Sequence, residues 1–160
     1  MWQRAYPIFF WIEKTRLGYA IRQSKWTFAI TEVVHLLGLT LLLGTVAVLA
    51  LRLFGFVFKT KNTAEMTRQL SPFSTTGLAL VLLTGLLLFV SEATKCWGNV
   101  AFQYKMLFLL MALLFQFTAF RIVSQSEEQR FSPLARKTTA VICVLLWFGV
   151  GAAGRAIAFF

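Results

Sequence analysis

The chain has 160 residues, of which 58% are hydrophobic and 16% aromatic, and it carries a formal net charge of +10. A soluble domain of this length has too little interior to bury so much apolar surface, so the composition excludes an ordinary soluble protein and favours a lipid bilayer as solvent. The positive charge does not indicate a nucleic-acid-binding protein, because the Lys and Arg residues lie mostly between apolar runs, where they meet lipid head groups.

Residues 1–25 are predicted to form an amphipathic interfacial segment. The stretch YPIFFWIEKTRLGYAIRQS, residues 6–24, mixes aromatic and aliphatic side chains with charges and is too short and too charged to span a membrane. Ser24 suits the N-cap of the helix that follows, and Trp11 and Trp26 suit the interfacial belt. No small-residue cleavage site follows the apolar residues, so we do not expect a cleavable signal peptide.

Residues 26–160 are predicted to form a transmembrane domain. Each of its apolar runs reaches the ~20 residues that span a bilayer, and backbone groups in lipid must pair within a helix. Prolines are expected at helix entries, Pro72 before the second helix and Pro133 before the fourth. Because the connections are short, we predict an all-α, integral membrane four-helix up-down bundle. The predicted helices cover residues 27–51, 73–91, 104–123 and 138–157.

Orientation is not decided by the number of basic residues, because Lys and Arg divide equally between the two ends of the bundle. The basic residues at the end opposite the N-terminus lie entirely in two short loops, where the positive-inside rule is most effective. This arrangement favours a topology in which both termini face outward.

A glutamate and the only histidine of the chain lie close together in the first spanning helix. In AITEVVHLLGL, residues 29–39, Glu32 and His35 are three positions apart and share one helix face. With Trp26 at the interface, His35 lies about 14 Å deeper, at ~1.5 Å per residue. Ionisable residues at such a depth are costly and indicate a functional site.

Three further ionisable residues are predicted at the same end of the bundle. Glu92 ends the second helix, Lys105 begins the third, and Arg155 lies near the end of the fourth. Because an unpaired charge in lipid costs several kcal/mol, we expect these residues and Glu32 to face inward and to neutralise one another around His35. The opposite half of the membrane is expected to hold no comparable set.

Neighbouring residues support this arrangement. Gln116 shares a helix face with Lys105, and this face is predicted to point inward. Gly85 shares a face with Glu92, and glycines allow close helix packing or leave room for a flat ligand. Cys96 and Cys143 are predicted near opposite ends of the membrane, which argues against a disulfide or a metal site made from the pair.

Several roles for His35 are open at this point. It can be a structural histidine hydrogen-bonded to Glu32 or Glu92, an axial ligand of a haem iron, or a residue that contacts quinone, transfers protons or binds another metal. Lys105 and Arg155 either pair with the glutamates or hold haem propionates or another anionic group. The sequence contains no nucleotide-binding loop, metalloprotease pattern or nucleophilic triad that would indicate a particular enzyme.

Longer stretches of the chain resemble an uncharacterised family of bacterial four-helix membrane proteins. The stretches are LGYAIRQSKWTFAITEVVHLLGLTLLLGTVAVLALRLFGF, CWGNVAFQYKMLFLL and SPLARKTTAVICVLLWFGVGAAGRAIAF. The resemblance covers nearly the whole chain after residue 15. It implies a location in the bacterial inner (cytoplasmic) membrane, and it supplies no activity.

A looser similarity reaches the copper-resistance type D membrane proteins and the haem-containing four-helix protoporphyrinogen oxidases. Members of these groups also place a histidine early in the first helix and a lysine near the start of the third, as His35 and Lys105 are placed here. The chain departs from them by having no second histidine, so a bis-histidine haem cannot form within one chain. A haem would need Lys105, a methionine, an open site or a histidine from another subunit.

We therefore expect a small membrane subunit of a redox system that binds haem b or contacts a quinone in the leaflet on the N-terminal side. His35 would be the ligand or hydrogen-bond partner, Glu32 would tune it, and Lys105 and Arg155 would hold anionic groups. The alternative is a structural or anchoring protein without a cofactor, either a homo-oligomer or part of a larger membrane complex. In that case the polar cluster is a buried ion-pair network.

Overall fold

The computed structural model describes residues 6–57, 63–126 and 130–157, and within these ranges the chain is helical and contains no strand. The all-α fold is therefore confirmed. In chain order the helices are α1 (Tyr6–Glu13), α2 (Arg16–Gln23), α3 (Lys25–Phe54), α4 (Thr63–Ser91), α5 (Ala93–Cys96), α6 (Val100–Phe115), a π-helical segment (Gln116–Phe120), α7 (Arg121–Gln125) and α8 (Pro133–Ala156).

Four helices are long and apolar enough to cross a membrane, namely α3, α4, α8 and the continuous rod made of α6, the π segment and α7. Many of their large apolar side chains are exposed, for example Leu37, Leu83 and Phe148. Such outward apolar surface is stable only in lipid. The chain is a multi-pass membrane protein built on a four-helix bundle.

The second spanning helix begins ten positions earlier than its apolar run, at Thr63 rather than at residue 73. Pro72 therefore lies inside α4 and not at its entry, which corrects the expectation from the sequence. The physical reason lies in packing, because the first turns of α4 bury Met66 and Thr67 against the rest of the bundle. That burial holds the helix together across a residue that cannot donate a backbone hydrogen bond.

Charged residues frame an apolar slab of about one hydrocarbon thickness. Glu32 and Arg52 on α3 enclose a stretch without Asp, Glu, Lys or Arg, and their separation corresponds to about 30 Å of helix. Lys137 and Arg155 enclose a comparable stretch on α8, about 27 Å long. We call the end of the slab that holds Glu32 and Arg155 the N-terminal boundary.

Two helix pairs make up the bundle. The most extensive contacts join α3 to α4 and α6 to α8, and α3 also packs on α8. Glycines allow the α3–α4 crossing, since a Cβ on Gly77 would lie 2.8 Å from the backbone nitrogen of Leu42, and one on Gly38 would lie 3.2 Å from the carbonyl oxygen of Gly77. The backbones therefore meet directly, which gives α3 and α4 their close packing.

A polar chain crosses the middle of the core. The indole Nε1 of buried Trp147 on α8 donates to Gln116 Oε1 at 2.7 Å, and Gln116 Nε2 donates to Ser74 Oγ on α4 at 3.3 Å. Gln116 begins the π segment, so the local change in helix winding directs this amide. The predicted inward orientation of Gln116 is confirmed.

The N-terminal helices cover one end of the bundle. Phe9 on α1 packs against Phe89 and Trp97, with ring centroids 5.8 Å and 5.0 Å apart, and Phe89 stacks on Phe102 of α6. As predicted, Ser24 caps α3, its hydroxyl oxygen accepting from the Thr27 amide at 3.3 Å. The segment is therefore docked on the bundle as well as exposed to its surroundings.

Candidate functional site

His35 is hydrogen-bonded to a hydroxyl group of the neighbouring helix. Its Nδ1 lies 2.8 Å from Oγ1 of Thr84 on α4. The Thr84 hydroxyl in turn donates to the backbone carbonyl of Leu80 in its own helix. The partner of the histidine is therefore neither Glu32 nor Glu92, the two residues that the structural interpretation of the sequence proposed.

The direction of this hydrogen bond follows from its neighbours. Because the Thr84 hydrogen is engaged with Leu80, the hydrogen between Thr84 and His35 comes from the ring, so Nδ1 is the donor. The carbonyl of Val81 is a further acceptor beside the ring. In the neutral ring with Nδ1 protonated, Nε2 carries the lone pair that a ligand would use. The side-chain hydrogen bond of the ring is made by Nδ1 and not by Nε2.

Gly85 provides the surface on which the imidazole rests. A Cβ added at this position would lie 3.2 Å from Cε1 and 3.7 Å from Nδ1 of His35. Any side chain here would press on the ring. Gly85 and Thr84 together therefore fix both the position and the hydrogen-bonding direction of the histidine.

Lys105 on α6 approaches the same region from the opposite pair of helices. Its charge acts electrostatically on His35 and on Cys96. The lysine side chain lies along α8, since a Cβ on Gly154 would be 3.6 Å from both Cε and Nζ. Over residues 6–57, 63–126 and 130–157, the partly buried ammonium group forms no hydrogen bond or ion pair. It is thus a cation available to an anion or a carbonyl oxygen.

Glu92 and Cys96 lie outside the spanning helices, in the short connection between α4 and α6. Glu92 forms an ion pair with Lys95 rather than with the predicted cluster. Burial raises the pKa of the Cys96 thiol to about 11, and the nearby Glu92 charge acts in the same direction. Cys96 and Cys143 are both free thiols. Cys96 is consequently protonated at neutral pH and is a poor nucleophile.

The remaining two predicted site residues are exposed. Glu32 has no hydrogen bond or ion pair with any residue that the structure describes. Arg155 is exposed as well. Their location at the N-terminal boundary explains this exposure, because charges at head-group level are solvated there by water and lipid head groups. The glutamates therefore do not form the expected neutralising shell around His35.

Buried polar groups also occur at the opposite boundary of the apolar slab. Arg52 is only 6% exposed, and Arg136 Nη2 donates to the fully buried Thr63 at 3.0 Å. Thr67 donates to the Ser124 carbonyl at 3.1 Å. These contacts tie α4, α7 and α8 together and have the character of a structural network.

Two important residues escaped the reading of the sequence. Thr84 was indistinguishable from the other hydroxyl residues of apolar helices, which commonly bond their own backbone. Glu13 lies in the amphipathic stretch of residues 6–24, where the sequence does not distinguish it from the other charges, yet its side chain is only 11% exposed and pairs with Arg22. Its carboxylate also accepts from the Thr94 amide at 2.8 Å and from the Thr94 hydroxyl. The sequence signal for Glu13 is weak, since it consists of one carboxylate at the end of an aromatic, amphipathic stretch.

Comparisons with known proteins place the chain without assigning an activity. The profile of a family described as "Family of unknown function (DUF6644)" matches residues 8–160. No curated protein matches the chain. No solved structure matches it either. The looser similarities to copper-resistance proteins and protoporphyrinogen oxidases thus stay predictions from the sequence.

Proposed function

The chain belongs to the DUF6644 family, a family of unknown function, so its function must be inferred from the site. We propose that the protein is a small membrane subunit of a redox system that binds haem b or contacts a quinone at His35. The proposal includes a location in the bacterial inner membrane with both termini outward. Its site lies between the α3–α4 pair and the α6–α8 pair, on the N-terminal side of the membrane.

The arrangement of His35 carries the proposal. Its Nδ1 donates to Thr84, and its ring rests on Gly85. Ligand histidines are typically held in this way, with one nitrogen fixed by a hydrogen bond so that the other presents its lone pair.

Lys105 supplies the complementary charge. Its ammonium group lies along Gly154 and acts on His35 through space. A cation on the α6–α8 pair that faces an imidazole on the α3–α4 pair suits a ligand with one electron-poor or acidic group and one negative group. Haem meets this description, because its iron is the electron-poor group and its propionates are negative. A quinol would also meet it, with one hydroxyl donating to Nε2 and the other oxygen accepting from Lys105.

The residues present fit a haem on these grounds, with His35 Nε2 as the single protein ligand to iron and Lys105 beside a propionate. When bound, haem would supply one-electron transfer. The chain has one histidine, so it would supply one histidine to hold the haem, and any second protein ligand would be Lys105, a methionine or a histidine of another subunit. Glu32 and Arg155 would contribute charge at the boundary. Glu92 would act less directly, since it pairs with Lys95 and its charge helps to raise the pKa of the Cys96 thiol.

The test is the composition of the purified protein. We expect full-length protein from haem-replete, quinone-containing cells to retain haem, seen in its visible spectrum and as a pyridine haemochrome, or quinone, measured in a solvent extract. His35→Ala should lose the bound molecule, whereas Thr40→Val, at an exposed site on the same helix that bonds only its own backbone, should keep it. A folded wild-type protein with neither molecule would rule the proposal out.

One observation favours a second candidate, a structural or anchoring subunit without a cofactor. The His35–Thr84 hydrogen bond joins α3 to α4, and such a contact can be sufficient reason for a polar pair in a bundle. In this case His35→Ala lowers the unfolding temperature and changes no ligand content. A homo-oligomer or a larger membrane complex would then be the functional form, which cross-linking in native membranes would detect.

A further inference from the structure

The α1–α2 hairpin lies at the level of the N-terminal boundary. A Cβ on Gly18 of α2 would be 2.8 Å from the carbonyl oxygen of Val90 near the end of α4. α2 therefore crosses α4 directly at the last turn of its membrane span. The surface between α1, α2 and α5 is thus at the depth of lipid head groups.

A cleft of about 180 Å³ opens on this surface, lined by Phe10, Glu13, Lys14, Arg22 and Thr94. Both carboxylate oxygens of Glu13 are engaged, because one pairs with Arg22 and the other accepts two bonds from Thr94. Glu13 thus builds the cleft wall and positions Arg22.

The groups that remain available in the cleft are cationic. The Arg22 side chain is 53% exposed, and its guanidinium has donors beyond the one that Glu13 uses. Lys14 is exposed, and its Nζ is held 4.2 Å from the centroid of the Phe10 ring. Two cations with fixed positions face one opening, so the site is complementary to an anion.

Apolar side chains on the same hairpin are exposed beside the cations. Ile8 and Trp11 of α1 are 58% and 70% exposed, and both are large hydrophobic residues. A soluble anion would gain nothing from them. A phospholipid would, because its phosphate can meet the cations while its acyl chains cover the apolar residues.

We propose that the cleft between α1, α2 and α5 binds the phosphodiester of an anionic phospholipid, with Lys14 and Arg22 as its cationic contacts. The lipid would hold the N-terminal hairpin against the end of the bundle. This site is separate from His35 and does not depend on the redox proposal, since no residue is shared between the two.

The test uses full-length protein purified in detergent and titrated with short-chain phosphatidylglycerol, with bound lipid counted by native mass spectrometry. Lys14→Gln should bind about five-fold more weakly, because one basic residue near a charged lipid surface contributes about that factor. Lys14→Arg should restore binding. Lys14→Gln leaves the Glu13–Arg22 pair in place, so an unchanged unfolding temperature shows that the fold is intact.

The matched control is Arg68→Gln, which removes the same charge from a side chain that is 81% exposed on α4, at the opposite end of the slab. This variant should bind phosphatidylglycerol as the wild type does. Equal losses in the two variants would mean diffuse charge attraction and would overturn the proposal. So would equal binding of short-chain phosphatidylcholine, or displacement of the lipid by equimolar inorganic phosphate.

Discussion

His35 and Thr84, on the helices α3 and α4, are joined by a hydrogen bond of 2.8 Å between Nδ1 and Oγ1. The imidazole is the donor in this hydrogen bond, since the Thr84 hydroxyl itself donates to the Leu80 carbonyl. The threonine is therefore a pure acceptor for the ring. One hydroxyl group thereby determines which nitrogen of the histidine is engaged with α4.

Removal of this acceptor should release the histidine. In Thr84→Val the shape is kept, but the Nδ1–H loses its acceptor, so we expect a loss of about 1–3 kcal/mol in the free energy of unfolding. Retention of haem or quinone should fall on the order of 10- to 100-fold, as for other supporting contacts of ligand histidines. Thr40→Val is the control, because Thr40 is exposed and bonds only Leu36 of its own helix. Equal effects in both variants would remove the special role of Thr84.

A methyl group at position 85 should disturb the ring from the other side. Gly85→Ala places its Cβ 3.2 Å from His35 Cε1, which is tighter than ordinary contact, so the ring must shift by a few tenths of an ångström. We expect a changed spectrum or lower occupancy of the bound molecule with a folded bundle. Gly44→Ala is the matched control, because nothing lies within 4 Å of the added Cβ. Wild-type ligand content in the Gly85→Ala variant would show that the contact is irrelevant.

The polar chain in the middle of the bundle should behave as one unit. Gln116→Leu removes the acceptor of the buried Trp147 indole, which should cost about 1–3 kcal/mol of unfolding free energy. Trp147→Phe removes the donor and a large buried surface. The double variant should lose less unfolding free energy than the sum of the two single losses, by a coupling of about 0.5–3 kcal/mol. Denaturant titration in detergent measures these free energies. Strict additivity would contradict the hydrogen bond.

Acid should weaken the docking of the N-terminal helices. Burial raises the pKa of Glu13, but hydrogen bonds from Thr94 and the charge of Arg22, with that of Lys95, outweigh it and lower the pKa below its ordinary value of 4.5. A lowered folded-state pKa gives stability that is complete above the unfolded value and is lost as pH falls through the folded value. The fluorescence of Trp97, which packs on Phe9, should therefore be constant at neutral pH and change only below about 4.5.

Substitution at position 13 separates this carboxylate from the others. Glu13→Gln should show a weakly docked hairpin at every pH and a flat profile in the acid range. Glu65→Gln, whose side chain is 49% exposed in the wild type, should keep the wild-type profile. An acid transition of the same size in the Glu13→Gln variant would assign the transition to another group.

The four spanning helices were predictable because each apolar run is long and the charges lie at its ends. Ser24 as a cap and Gln116 as an inward residue followed from local rules that need no tertiary information. The start of α4 did not follow, because residues before the apolar run are held by packing of Met66 and Thr67 and not by hydropathy.

The site itself was only partly predictable, for a physical reason. In lipid the outward faces of the helices are as apolar as the inward faces, so periodicity does not reveal how each helix is rotated. Rotation decides that His35 meets Thr84 while Glu32, one turn away, is exposed. The sequence pattern therefore placed His35 and Lys105 at one end of the bundle, but it could not separate them from Glu32 and Arg155.

The direct backbone contact at Gly38 and Gly77 has a mechanical consequence. Helices that touch through their backbones cannot slide without breaking many contacts at once, so we expect the α3–α4 pair to be a stiff part of the bundle. His35 and Thr84 both lie on this pair, whereas Lys105 and Gly154 lie on the α6–α8 pair. The alignment of the imidazole is therefore set within one helix pair, and its distance from the Lys105 ammonium is set by how the two pairs pack.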